Sequence, residues 1–226
     1  MGEIVYHHDF IEIDYTGKLL DGMVFDTTDE SIAKKNNLHS EKAVYTPSAI
    51  CVGEKQILPG LDEQLEGKEI GKHYTVKLQS EKAFGKRDIK KMRIVSMSTF
   101  KEHDVQPQSG LQIDVDGELG IIARISGGRI IVNFNHPLAG KEVTYEFVMR
   151  RKITETAEKI TAFFHTLFKI PQEQITVEIK EGQAAVKIPV AFPHEIAEAI
   201  GKKVTELVTE VKSIEIKAAK EEKTSS

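Results

Sequence analysis

The chain has no tryptophan, one cysteine and only 7% aromatic residues across 226 positions. The lone cysteine, Cys51, excludes an intramolecular disulfide and a cysteine-built zinc site, so the fold does not depend on an oxidising compartment. No apolar run approaches the roughly 20 residues that cross a bilayer. The N-terminus lacks the basic region and apolar stretch of a signal peptide, and Tyr6 stands where a myristoylation signal wants Ser or Thr. Neither sign of charge dominates: 31 Lys and Arg stand against 35 Asp and Glu, a net charge of −4. No broad positive field therefore draws the chain to nucleic acid or to an anionic membrane. The expectation left by these absences is a soluble cytoplasmic protein with neither partner.

The hydrophobic content, 40%, is ordinary, and the length suits two or three small domains. Ile11, Ile13 and Tyr15 alternate with Glu12 and Asp14, and Asp21-Gly22 separates them from Met23-Val24-Phe25, which predicts a hairpin with a primed turn. Asp29 to Asn37 reads as a short helix capped by Asp29 or Ser31. Pro59 to Gly67 sets Leu61 and Leu65 one helical turn apart, and Tyr74, Val76 and Leu78 share one face of a strand. From Ile89 to Ile131 short β-like runs alternate with Pro107, Gly110, Asp116-Gly117 and Gly127-Gly128, which predicts a small all-β insert. Val143, Tyr145 and Phe147 then resume the first sheet.

Beyond Lys152 the texture turns helical. Ala157, Ile160, Phe163, Phe164, Leu167 and Phe168 recur at helical spacing, a hairpin turns at Glu181-Gly182, and a second helix carries Ile196, Ile200, Val204 and Leu207. A last strand around Ile214 completes an α-β-β-α-β unit, and residues 219–226 read as a flexible tail. The phenylalanine-rich helix motivates an expected homodimer contact.

Some signals lead nowhere. His7-His8 and the other histidines show no metal-ligand spacing, Asp114-Val115-Asp116-Gly117 begins like a calcium loop without its remaining ligands, and no Lys-Ser/Thr follows Gly127-Gly128. No metal and no cofactor are expected. Taken singly, Ile57, Leu58, Leu61 and Tyr145 are core residues by their spacing, and Asp26 is a turn or capping carboxylate.

As an ordered set, however, Asp14-Tyr15-Thr16-Gly17, Val24-Phe25-Asp26-Thr27-Thr28, Gln56-Ile57-Leu58-Pro59-Gly60-Leu61-Asp62, Ala83-Phe84-Gly85 and Asn135-His136-Pro137-Leu138-Ala139-Gly140 resemble the FKBP-type peptidyl-prolyl cis-trans isomerases. The likeness is to the SlyD-like subclass, with a domain inserted in the flap, and within it to the long archaeal form with an extra C-terminal domain. The resemblance implies an α+β fold: a twisted antiparallel sheet around a short helix, formed by residues 1–88 and 132–152. It implies an inserted chaperone domain at 89–131 and a C-terminal α+β domain at 153–218.

It also implies a pocket for the proline ring. Tyr15, Phe25 and Tyr145 supply aromatic walls, Asp26 the carboxylate beside the rotating amide, and Ile57 and Leu58 the aliphatic edge, with the Ile57 N–H as a donor to substrate. Leu61 stands where smaller members place a tryptophan floor, and Phe84 where most have a tyrosine hydroxyl, so weaker macrolide inhibition is expected. Ser48 replaces a frequent aromatic. Met92, Ile94, Val95, Met97, Phe100 and Leu111 are the implied chaperone surface, and the alternative is that half or more of them fill the core of a small barrel. The implied partners are unfolded or partly folded polypeptides with X-Pro bonds. A holdase with a vestigial pocket is the alternative.

Overall fold

Alternation of Ile11, Ile13 and Tyr15 with polar residues yields a ten-residue strand, β1 (Phe10–Leu19), in a computed structural model that describes residues 2–102 and 105–218. Next come β2 (Val24–Thr27), α1 (Glu30–Lys35), β3 (Ser48–Cys51), α2 (Pro59–Asp62) and β4 (His73–Leu78). The β1–β2 turn is not primed. The Gly22 N–H bonds Leu19 O at 3.0 Å, and of Asp21 and Gly22 only the glycine is left-handed, with φ 87°. A longer loop thus replaces the two-residue turn, and a bulge at Gly17/Lys18 absorbs the extra length. Asp29 caps α1, its carboxylate accepting from Ser31 N–H at 2.7 Å and Ile32 N–H at 3.0 Å.

The chain then forms β5 (Met92–Ser96), α3 (Met97–Glu102), β6 (Gln112–Val115), β7 (Glu118–Ser126) and β8 (Arg129–Asn133). These strands make a separate four-stranded sheet in the order β5-β8-β7-β6. Asp116-Gly117 and Gly127-Gly128 are left-handed at both residues, as two-residue primed turns require. The expected all-β insert carries one helix, α3. Met97 and Phe100, three residues apart, share a helical face. The helix places Phe100 at 6% exposure among Ile122, Ile130, Val132 and Phe134.

β9 (Val143–Lys152) returns to the first sheet, which runs β2-β1-β9-β4 with β3 also on β1. Contacts divide the chain where Leu78 and Val143 pair: Gln79–Glu142 forms one compact unit, and the flanking segments form the other. The C-terminal elements belong with the flanking segments. They are α4 (Thr156–Phe168), β10 (Thr176–Lys180), β11 (Gln183–Ile188), α5 (His194–Leu207) and β12 (Ser213–Ala218). Their sheet runs β10-β11-β12, with β12 parallel to β11 across the α5 crossover.

One core joins the two sheets of this unit. Ser48 and Ile50 of β3 pair with Ile13 and Ile11, which leaves Ala49 and Cys51 on the opposite face beside Phe10. That face is covered by the C-terminal elements, so Phe10, Ala49 and Cys51 share a cluster with Phe163, Phe164, Val186 and Val204. Phe163 and Phe164, at 3% and 0% exposure, are consumed inside the chain and are not free for the dimer contact expected of them. The expected tail at 219–226 lies outside the described residues. Among those described, no helix is long and apolar enough to cross a membrane.

Candidate functional site

β1 lies along β9 on one edge and divides its other edge between two strands: β3 pairs with Phe10–Ile13, β2 with Thr16–Lys18. The gap between those partners falls at Asp14 and Tyr15. A cavity of about 300 Å³ there is lined by Tyr15, Phe25, Asp26, Thr28, Tyr45 and Ser48, among others.

Register brings the aromatic residues together. Gly17 pairs with Asp26 on one side and with Tyr145 on the other. The rings of Tyr15 and Phe25 each lie 5.8 Å from the Tyr145 ring, both edge-on, the arrangement that the ring quadrupole favours. Gly17 permits this closure: a Cβ there would stand 2.7 Å from Phe25 and 3.0 Å from Tyr145. Gly17→Ala is therefore expected to force the rings apart and to cost about 1–3 kcal/mol, as overpacking does. Thermal unfolding checks this, and an unchanged Tm would contradict it.

The Tyr15 phenol lines this cavity together with Asp26 and Ser48. Burial first, then the Asp26 charge, pushes its pKa up to about 12. The Tyr145 phenol is raised further by burial, then by Asp26 and Tyr15. Both phenols are thus neutral at physiological pH. Asp26 keeps solvent-exposed surface as a residue, yet desolvation of its carboxyl raises its pKa, opposed by hydrogen bonds from the Thr27 N–H and the Tyr15 hydroxyl. The cavity offers aromatic walls, neutral phenols and one partly desolvated carboxylate.

Thr28 ties the walls together, a role that sequence reasoning missed. Its buried hydroxyl donates to Asp14 Oδ1 at 2.9 Å and accepts the Tyr15 N–H at 3.0 Å, while its own N–H bonds Tyr15 O at 3.0 Å. The repeated threonine after Phe25-Asp26 was the available signal. Ser48, noted only as a replaced aromatic, contributes a hydroxyl instead of a wall.

Ile57 and Leu58 are half-buried in the β3–α2 connection, and Leu61 on α2 is 1% exposed. None of the three lines the Tyr15 cavity. Their loop is braced by buried Asp62, whose carboxylate accepts from Gly53 N–H at 3.0 Å and Lys55 N–H at 2.9 Å. Gln56 Oε1 braces it again, accepting the Cys51 N–H at 2.7 Å. Among the described residues no partner takes up the Ile57 or the Leu58 N–H. Tyr145, 2% exposed, backs the cavity without lining it.

Phe84 belongs to the Gln79–Glu142 unit, where its ring stacks on His136 at 4.6 Å. In that same unit Val95, Phe100 and Leu111 line a hollow of about 570 Å³, which Met92, Ile94 and Met97 do not reach. Ile94 is 65% exposed, and Phe100 forms the floor of the hollow from its place in the core. The Tyr15 cavity is smaller, but there ring contacts converge with perturbed titratable groups, the mark of a chemical site.

The fold and site thus define an α+β protein, mostly sheet, with an aromatic-backed cavity beside a lone carboxylate. Residues 93–138 match the family model described as FKBP26, IF domain. The chain is 31% identical over 150 residues to the short-type peptidyl-prolyl cis-trans isomerase of Methanocaldococcus jannaschii, covering 66% of this chain and 95% of that protein. It is 30% identical over 151 residues to the FKBP-type 16 kDa peptidyl-prolyl cis-trans isomerase of Escherichia coli, covering 65% and 92%. With the SlyD isomerase of Haemophilus influenzae it shares 27% over 150 residues, covering 64% and 71%. Among solved structures it is similar to the three FKBP domains of wheat FKBP73, with a TM-score of 0.36, 17% identity, and coverage of 69% of this chain and 43% of that one. The chain belongs to the FKBP-type peptidyl-prolyl cis-trans isomerase family and is an enzyme of that class.

Proposed function

We propose that the Tyr15 cavity accelerates rotation about X-Pro bonds in unfolded or partly folded polypeptides without a cofactor, and that residues 89–131 act as a chaperone domain that captures them. The observation that carries this reading is the convergence of Tyr15, Phe25 and Tyr145 edge-on beside Asp26. Rotation faces a barrier of about 18–20 kcal/mol because resonance gives the C–N bond double-bond character. No bond is made or broken. A water-poor aromatic wall disfavours the charge-separated planar amide, and groups that prefer the twisted amide lower the barrier further. A thousandfold acceleration needs only about 4 kcal/mol of such preference.

In this reading Phe25 and Tyr15 contact the proline ring, Tyr145 fixes their orientation, and Asp26 faces the amide as its dipole collapses. The N–H groups of Ile57 and Leu58, which no described residue takes up, supply hydrogen bonds to substrate carbonyls. Leu61 supports that loop from α2. Exposed Ile94 and the hollow lined by Val95, Phe100 and Leu111 are the capturing surface, with Met92 and Met97 as flexible neighbours. A reducing cytoplasm suits a chain whose one thiol is buried.

Asp26 provides the test. Its raised pKa means that the folded state holds the proton more tightly than the unfolded chain. Stability therefore falls as pH rises from the unfolded value, about 3.9, through the folded one. Asp26→Asn removes that penalty, so at neutral pH it is expected to raise Tm while lowering kcat/KM by about tenfold. The wild-type acid limb of kcat/KM is expected above the ordinary aspartate range and to vanish in the variant. Peptide isomerisation measured across pH checks both, and an unaltered kcat/KM would remove Asp26 from the mechanism.

A further inference from the structure

The C-terminal elements touch the two segments that carry the pocket edge. On α4, the Thr166 hydroxyl donates to Ala49 O at 2.6 Å, one residue beyond Ser48 on β3. On α5, Lys203 Nζ lies 2.8 Å from one Glu54 carboxylate oxygen and 3.0 Å from the other. Glu54 is only 16% exposed at its side chain and is also approached by His8 Nε2 at 3.3 Å. It sits on the same short loop, braced by Asp62 and Gln56, that presents Ile57 and Leu58. Between these two contacts runs the shared core around Cys51.

We propose that the C-terminal elements position the isomerase pocket, with Thr166 holding β3 and Lys203 holding the Glu54–Leu58 loop in register with the Tyr15 cavity. The proposal rests on the isomerase reading of that cavity. Both residues act through others and are positioning residues. A partly buried ion pair resists displacement because removing one partner leaves the other charge uncompensated, so the loop has one favoured setting while Lys203 is present. The N–H groups of the loop engage substrate in planar and twisted forms alike. Loosening the loop therefore weakens uniform binding, which raises KM and leaves kcat in place.

The test uses the full chain and a short, uncharged X-Pro peptide. Lys203→Glu sets a like charge against Glu54 and is expected to raise KM several-fold to about tenfold at unchanged kcat, the range of coupling carried through packed contacts. Exchanging the pair, Glu54→Lys with Lys203→Glu, is expected to restore KM. Lys202→Glu, the same charge change on the exposed neighbour, is expected to leave it alone. Thr166→Val, nearly isosteric, is expected to move KM in the same direction, and it stands as the second variant if the charge reversal unfolds the chain. A wild-type KM in both Lys203→Glu and Thr166→Val, well below their melting temperatures, would overturn the proposal. So would a rise that the Lys202→Glu control reproduces. If the wild-type chain itself fails to accelerate isomerisation, the reading of the cavity fails first and the proposal falls with it.

Discussion

Replacing Ile89–Val132 with a short loop is expected to lower catalysis of a proline-limited refolding reaction about a hundredfold or more, while isomerisation of a short X-Pro peptide keeps its wild-type rate. The physical reason is tethering. A captured polypeptide is held at an effective concentration set by the connecting segments, which for short linkers adds two or more decades without any new contact at the pocket. A peptide too small to be captured loses nothing. The excision is structurally clean because the stem of the insert is stapled outside the removed residues. Asn135, 8% exposed, accepts the Asp88 N–H at 2.8 Å and donates to Asp88 O at 2.9 Å, and the Gly140 N–H bonds Gly85 O at 2.8 Å. Equal losses on both substrates would place the insert in the chemistry instead of in capture. Suppressed aggregation by the intact chain, with no acceleration of either reaction, would leave a holdase.

Phe164→Ala is expected to cost about 3–5 kcal/mol, since it empties a fully buried aromatic site. Its ring meets Phe163 edge-on at 5.6 Å and Phe168 at 5.8 Å, inside the cluster that also holds Phe10, Ala49 and Cys51. Because that cluster belongs to both sheets of the unit, the loss is expected in one cooperative transition, not in a separate melting of the C-terminal elements. Cys51 reports it directly. Its thiol is fully buried, and its pKa is pushed up to about 12, by burial first and then by the charge of Glu54, so a thiol reagent reaches it only through opening. At about 1.4 kcal/mol per decade, labelling in Phe164→Ala is expected to run about two to three and a half decades faster. Labelling at the wild-type rate, with a separate early transition by circular dichroism, would show the C-terminal elements to be an independent domain.

Strong local chemistry was legible in the chain. The alternation of β1, the Asp29 cap, the left-handed pairs Asp116-Gly117, Gly127-Gly128 and Glu181-Gly182, and the helical stripes of α4 and α5 all appear where the spacing puts them. What failed was local but ambiguous. Met92 to Met97 reads as one β-like run, and only packing of Phe100 into the insert core bends its end into α3. Asp21-Gly22 satisfies a primed turn by composition, but Leu19 pairs with Met23 across a longer loop in which only Gly22 is left-handed.

At the site, the ordered motifs named Tyr15, Phe25, Asp26 and Tyr145, and the sheet register brings these four together. Thr28 and Gly17 were passed over, and Ser48 was read only as a replaced aromatic, because their roles lie in pairings between β1 and its neighbours. A threonine hydroxyl or a missing Cβ carries no periodic signal.

The sequence by itself determined the kinds of elements, the turns that join them, the discontinuity of the first sheet and the family motifs, because each depends on residues close together or on a fixed order of residue types. Only the tertiary structure decided that Phe163 and Phe164 lie against β3 within the chain, that Lys203 reaches Glu54, and that Asp62 braces the loop bearing Ile57 and Leu58. An amphipathic pattern states that a face will be buried. What it is buried against depends on which surfaces meet once the chain has closed, and that information is held in no single stretch of it.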